Sequence, residues 1–109
     1  MNDQVLNDLY EVIMSRKAEP MEGSYTCYLF EKGIDKILKK VGEECAETII
    51  AAKNGIKDDT VGEISDLIYH LMVMMAECGI DVKDVLENLE KRSHKIGNLK
   101  QMRVTDKET

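Results

Sequence analysis

Apolar positions fall at helical spacing along most of the chain. In residues 5–16, VLNDLYEVIMSR, Val5, Leu6, Leu9, Val12 and Ile13 recur at i, i+1, i+4, i+7 and i+8, the stripe of a first amphipathic helix. The polar stretch KAEPMEGS combines Pro20 with Gly23 and reads as a loop; Ser24 then stands where it can cap a short helix, YTCYLFEK, that stops at Gly33. Ile34, Ile37, Leu38, Val41, Cys45, Ile49 and Ala52 describe one continuous face of a long helix from Ile34 to Asn54, with Gly55 as its stop. A further helix is predicted from Thr60 to Cys78, before Gly79, and another from an Asp81 N-cap to His94. The Thr60–Cys78 segment is apolar around most of its circumference and is expected to be central and buried. Short, Gly-punctuated links make an all-α, four- to five-helix bundle the predicted fold, with a helical core over 5–96 and a polar tail over 97–109 that frays.

Length and composition narrow this picture. A chain of 109 residues suits one domain, and 43% hydrophobic with 33% charged residues is the composition of a folded protein. The net charge of -6 argues against a nucleic-acid partner, because such binding draws on basic surface. Cys27, Cys45 and Cys78 show no paired or metal-type spacing, and Cys45 and Cys78 read as small buried hydrophobes. No basic-then-apolar leader and no apolar run near ~20 residues is present, so the expected setting is cytoplasmic and away from membranes.

The chemistry concentrates in KKVGEECAETIIAAKNG, residues 39–55. At about 100° per residue, Lys36, Lys40, Glu43, Glu44 and Glu47 share an arc opposite the stripe centred on Val41 and Cys45. Alone, that is the solvated side of an amphipathic helix. In the next helix, however, Glu63, Asp66 and His70 occupy the narrow polar strip at i, i+3 and i+7, repeating the i, i+3 carboxylate pairing of Glu44 and Glu47. Two adjacent helices can thus aim four carboxylates at one point, and buried carboxylates require pairing or a hard, oxygen-loving cation; Mg²⁺ is the expected guest. Thr60 and Glu63 also fit a T-x-x-E capping box at the helix start. His70 is better suited to a hydrogen bond or substrate contact than to ligating Mg²⁺, and the Met72, Met74 and Met75 cluster reads as adaptable packing.

E-E-x-x-E at Glu43, Glu44 and Glu47, then E-x-x-D at Glu63 and Asp66, resembles the signature of the all-α nucleoside triphosphate pyrophosphatases, the MazG-like superfamily. SYTCYLFEKGIDKILKKVGEECAE, DLIYHLMVMMAE and KIGNLK narrow the resemblance to its phosphoribosyl-ATP pyrophosphatase family. That resemblance implies Mg²⁺-dependent hydrolysis of phosphoribosyl-ATP to phosphoribosyl-AMP and pyrophosphate, the second step of histidine biosynthesis. It also implies a homodimer or higher homo-oligomer whose central bundle draws helices from both subunits. Glu44, Glu47, Glu63 and Asp66 match the family's metal positions; Glu43, Glu44 and Glu47 are the candidate catalytic carboxylates, Glu43 for a second metal or the attacking water. Lys36, Lys40, Tyr25, Thr26 and His70 are candidates for substrate contact.

Three other readings share part of the pattern. The same carboxylates would serve house-cleaning hydrolysis of noncanonical nucleoside triphosphates. A di-iron carboxylate bundle calls for E-x-x-H pairs, whereas the i+3 partners here are Glu47 and Asp66. A non-catalytic helical interaction module would use the acidic strip to bind a basic partner.

Overall fold

The computed structural model describes residues 4–95 and 102–108, so the 97–101 part of the expected tail lies outside the described residues, as does most of KIGNLK. Among the described residues all regular structure is helical: α1 Val5–Ala18, α2 Tyr25–Lys32, α3 Ile34–Asn54, α4 Lys57–Cys78, α5 Val82–Ser93 and α6 Val104–Glu108. The all-α reading holds. The five main helices fall where the apolar periodicity put them, except that α4 starts at Lys57 rather than Thr60, and the polar tail carries the one-turn α6 within the stretch expected to fray. No described helix is long and apolar enough to cross a membrane.

Local chemistry fixes the boundaries. The Ser24 hydroxyl accepts the Cys27 N–H at 3.2 Å and starts α2. Gly33 alone joins α2 to α3, at φ 89°, a corner that a side chain would resist. Gly55, left-handed at φ 73°, ends α3 by donating to the Ala51 and Ala52 carbonyls. The Asp81 carboxylate accepts the Lys83 N–H at 2.9 Å and opens α5.

The predicted T-x-x-E cap is overturned. Helix α4 begins at Lys57, so Thr60 lies inside it, and its hydroxyl donates back to the Ile56 carbonyl at 2.9 Å. Asp58 and Asp59 occupy the first turn instead, where their charge favours the exposed N–H groups.

Helices α3 and α4 form the most extensive pairing, a hairpin turned at Gly55–Ile56. Helices α1 and α2 pack against the hairpin end that carries the start of α3 and the finish of α4, and α5 packs on α1. The core lies there: Tyr10 and Ile13 from α1, Leu29 from α2, Ile37 from α3, Met72, Val73 and Ala76 from α4, and Val82 from α5. The buried Tyr10 ring sends its hydroxyl to the Ile80 carbonyl at 2.6 Å, tying α1 to the α4–α5 turn. Lys17 ties the same elements from outside, through the Glu77 carboxylate at 3.2 Å and the Ala76 carbonyl at 3.0 Å.

The long hairpin departs from the expected orientation. Helix α3 turns Ile37, Glu44 and Ala51 inward, while Leu38, Cys45, Ile49 and Ala52 of its predicted apolar stripe are exposed. On α4, Val61, Ile64 and Ile68 are exposed as well, and so is Cys78. Apart from Ile37, most of the hydrophobic stripe therefore does not face this chain's own core. The carboxylate side of α3 faces α4 instead. Leu29, with no exposed area, tests the core: L29A should lower stability by about 2–5 kcal/mol in denaturant unfolding, and a near-neutral effect would contradict this packing.

Candidate active site

Facing α3 and α4 bring three carboxylates together: Glu44, Glu63 and Asp66 each offer an oxygen within 4.8 Å of the other two. Glu44 is buried, Glu63 is half-buried and Asp66 is exposed, so the group runs from the interior to the surface. Oε2 of Glu44 and Oε2 of Glu63 are both buried and accept no hydrogen bond. Glu47 stands one turn beyond Glu44, exposed, close enough to interact with Glu44 and Glu63.

The electrostatics express that crowding. Burial raises the Glu63 carboxyl to about 7, and the neighbouring Glu47 and Glu44 add to the rise. Glu44 is likewise raised, first by burial and then by Glu47 and Asp66. Like charges at such separation favour protons or a cation between them, and an all-oxygen donor set matches a hard divalent ion. The orphaned oxygens of Glu44 and Glu63 lack the donor that such an ion would replace.

An open depression of about 560 Å³ lies over this group, lined by Glu47, Asp58, Asp59, Glu63 and Asp66 with Ile50 and Asn54 among its walls. Asp58 and Asp59 escaped the sequence reading, which left them in the link before α4. Because α4 starts at Lys57, Asp59, Glu63 and Asp66 share one face at i, i+4 and i+7. That spacing was present in the sequence.

The remaining candidates are placed differently. Glu43 pairs with Lys40 at 3.1 Å and Lys39 at 4.0 Å, and its carboxyl is lowered chiefly by the Lys40 hydrogen bond; it is not one of the three clustered carboxylates. Lys40 also approaches Glu44 Oε1 at 3.9 Å, which makes it the cation beside the group. Lys36, one turn earlier, is half-buried and acts on Glu43 through its charge.

Tyr25, Thr26 and His70 bond within the protein. His70 is buried, with Nδ1 2.7 Å from the Asp66 carbonyl and Nε2 3.0 Å from the Tyr25 hydroxyl. A carbonyl can only accept, so Nδ1 carries a proton; in the neutral ring Nε2 then accepts, and the Tyr25 hydroxyl donates. Thr26 and Tyr69 share a short hydroxyl–hydroxyl bond. The Tyr25 ring stacks on Tyr28 and Tyr69, and burial raises its phenol although the Lys40 charge opposes the rise. SYT and YHL, the segments that narrow the family resemblance, therefore meet and fasten α2 to α4.

Comparison with known proteins matches the phosphoribosyl-ATP pyrophosphohydrolase family profile to residues 6–93, most of the chain. The chain belongs to the phosphoribosyl-ATP pyrophosphohydrolase family. It is 54% identical over 99 residues to the phosphoribosyl-ATP pyrophosphatase of Clostridium novyi (strain NT), covering 91% of this chain and 90% of that one. Against the phosphoribosyl-ATP pyrophosphatase of Clostridium acetobutylicum the identity is 54% over 101 residues, with 93% and 92% covered. The histidine biosynthesis bifunctional protein HisIE of Caldanaerobacter subterraneus subsp. tengcongensis is 61% identical over 92 residues, 84% of this chain. The chain spans only 45% of that bifunctional relative's length. Membership of a hydrolase family fits the carboxylate group and offers no support for a purely structural module.

The raised Glu63 carboxyl yields a pH signature in metal-free protein. Below its ordinary value of 4.5 the group is neutral folded and unfolded; above that the unfolded chain ionises first, so the folded state loses stability until about pH 7. The thermal stability of E63Q relative to wild type, measured in chelator, should therefore grow between pH 4.5 and 7 and level off above. A pH-independent difference would sink this account.

Proposed function

We propose that this family member hydrolyses phosphoribosyl-ATP to phosphoribosyl-AMP and pyrophosphate, in the second step of histidine biosynthesis, with Mg²⁺ as the metal. The observation that carries the reading is the meeting of Glu44, Glu63 and Asp66, two of whose buried oxygens lack any donor, in a chain matched along most of its length to the pyrophosphohydrolase family. Glu44, Glu63 and Asp66, with Glu47 beside them, would hold the metal. Bound there, a divalent cation supplies charge neutralisation for the polyphosphate.

The chain's own groups do the positioning. Lys40, between Glu43 and Glu44, and Lys36 before it offer cations to phosphate oxygens the metal leaves uncovered. Glu47, exposed on the wall of the depression, orients the attacking water and accepts its proton while the bond between the α- and β-phosphates is cleaved. His70 holds Tyr25, and both keep α2 against the hairpin carrying the carboxylates.

A second copy of the chain completes the fold on this reading. Ile49 at 65% exposure, Val61 at 53% and Ile64 at 42% leave an apolar strip along α3 and α4 that a homodimer, with a bundle drawn from both subunits, would cover. I64K should shift sedimentation to the monomer; an unchanged oligomer would refute this face.

The decisive assay presents phosphoribosyl-ATP beside ordinary and modified nucleoside triphosphates, with and without Mg²⁺. Release of pyrophosphate from phosphoribosyl-ATP should dominate and stop in chelator. D66N and E44Q should each lose roughly 100-fold or more in turnover while keeping the helical fold by circular dichroism. Preference for modified triphosphates would transfer the chain to house-cleaning chemistry.

A further inference from the structure

The carboxylate depression accounts for only one end of the proposed substrate. Phosphoribosyl-ATP bears a triphosphate on one ribose and a second, phosphorylated ribose on its adenine, so it carries phosphate at two separated ends. A depression walled by Glu47, Asp58, Asp59, Glu63 and Asp66 repels any phosphate that no cation covers. The second phosphate requires its own cation elsewhere.

A larger cavity, about 840 Å³, opens between the last turn of α1, the Pro20–Gly23 connection and α2. That volume lies within the range of about 300–1,000 Å³ common to small-molecule sites. Its walls combine three chemistries: the stacked rings of Tyr25 and Tyr28, the carboxylates of Glu22 and Glu31, and the guanidinium of Arg16. Aromatic faces suit a purine, carboxylates accept from ribose hydroxyls, and a guanidinium forks onto phosphate.

The two cations at this cavity differ in what they already hold. Lys17 is committed to the Glu77 carboxylate, the Ala76 carbonyl and the face of Phe30. The Arg16 guanidinium, on a half-buried residue, hydrogen-bonds to the neighbouring Ser15 hydroxyl at 3.4 Å, acts on the Cys27 thiol through its charge, and forms no ion pair among the described residues.

Tyr25 connects the two regions. Its ring lines the cavity, while its hydroxyl is held by His70, which is in turn anchored on the Asp66 carbonyl in the turn that supplies a clustered carboxylate. The Tyr25 phenol also lies within electrostatic reach of Lys40 and Glu44.

We propose that the α1–α2 cavity is a second subsite, which receives the phosphoribosyl arm with Arg16 on its terminal phosphate and the Tyr25 and Tyr28 rings beside the purine. It deepens the substrate assignment above and rests on it. Arg16 is then the residue that separates phosphoribosyl-ATP from a plain nucleoside triphosphate.

A turnover-free titration tests the subsite directly. Ribose 5-phosphate added to ¹⁵N-labelled, metal-free protein should shift amide signals centred on Arg16, Tyr25 and Tyr28. R16M should remove those shifts and raise the KM for phosphoribosyl-ATP roughly tenfold or more, with R16K intermediate, as for a lost charge-assisted contact. Shifts confined to α3 and α4, no shifts at millimolar ligand, or an unchanged KM in R16M would each overturn the subsite. Failure of wild type to release pyrophosphate from phosphoribosyl-ATP would instead strike the substrate assignment, which the ribose 5-phosphate titration does not depend on.

Discussion

Carboxylates crowded between two helices repel, and the α3–α4 hairpin is built around that repulsion. A packing seam normally excludes an unpaired charge, because burial removes its water without replacing it. Here Glu44 lies in the seam at 6% exposure, and its Oε2 and that of Glu63 have no donor. The raised Glu44 and Glu63 carboxyls express the same cost in protons. Stability is held elsewhere, in the apolar cluster from Tyr10 to Val82 at the other end of the hairpin, which leaves the seam free to carry a strained, charged group.

The hairpin's outer face follows from that choice. An α-helix has limited circumference, and α3 gives its inward arc to Ile37, Glu44 and Ala51. Its strongest apolar stripe, through Leu38, Cys45 and Ile49, is then left pointing outward. On α4 the sites of Val61, Ile64 and Ile68 do the same. A carboxylate centre inside the hairpin and an exposed apolar face outside it are thus two results of one rotation of the helices, which is why the proposed metal site and the proposed homodimer stand together.

Helix positions were legible in the sequence because apolar spacing, the Ser24 and Asp81 caps and the Gly33, Gly55 and Gly79 stops all act locally. The i, i+3 carboxylate spacing on each helix was legible too, since it does not depend on how the helices turn, whereas the meeting of Glu44 with Glu63 and Asp66 does. The rotation itself was not legible. Periodicity marks an apolar face without saying whether it meets the same chain or another one, so Cys45 and Cys78 were read as buried when both are exposed. The start of α4 was misplaced for a related reason. Thr60 is a good cap in isolation, but Ile56 precedes a turn whose Asp58 and Asp59 satisfy the helix end by charge, a signal that T-x-x-E spacing hides.

Tyr25, Thr26, Tyr69 and His70 point to a division of labour within the fold. Metal-supported cleavage of a polyphosphate needs carboxylates at fixed spacing and little else from the protein, so that part of the site can be common to many substrates. Discrimination has to come from groups that touch the rest of the molecule. The bonds Tyr25–His70 and Thr26–Tyr69 consume hydroxyls that the sequence alone offered to substrate, yet in doing so they fix α2 and present the Tyr25 ring to the α1–α2 cavity. A flexible side chain ordered by substrate would lose entropy on binding; a ring already held by a buried histidine does not. In the proposed subsite the part of Thr26, Tyr69 and His70 is therefore indirect, made by holding the Tyr25 ring still before the ligand arrives.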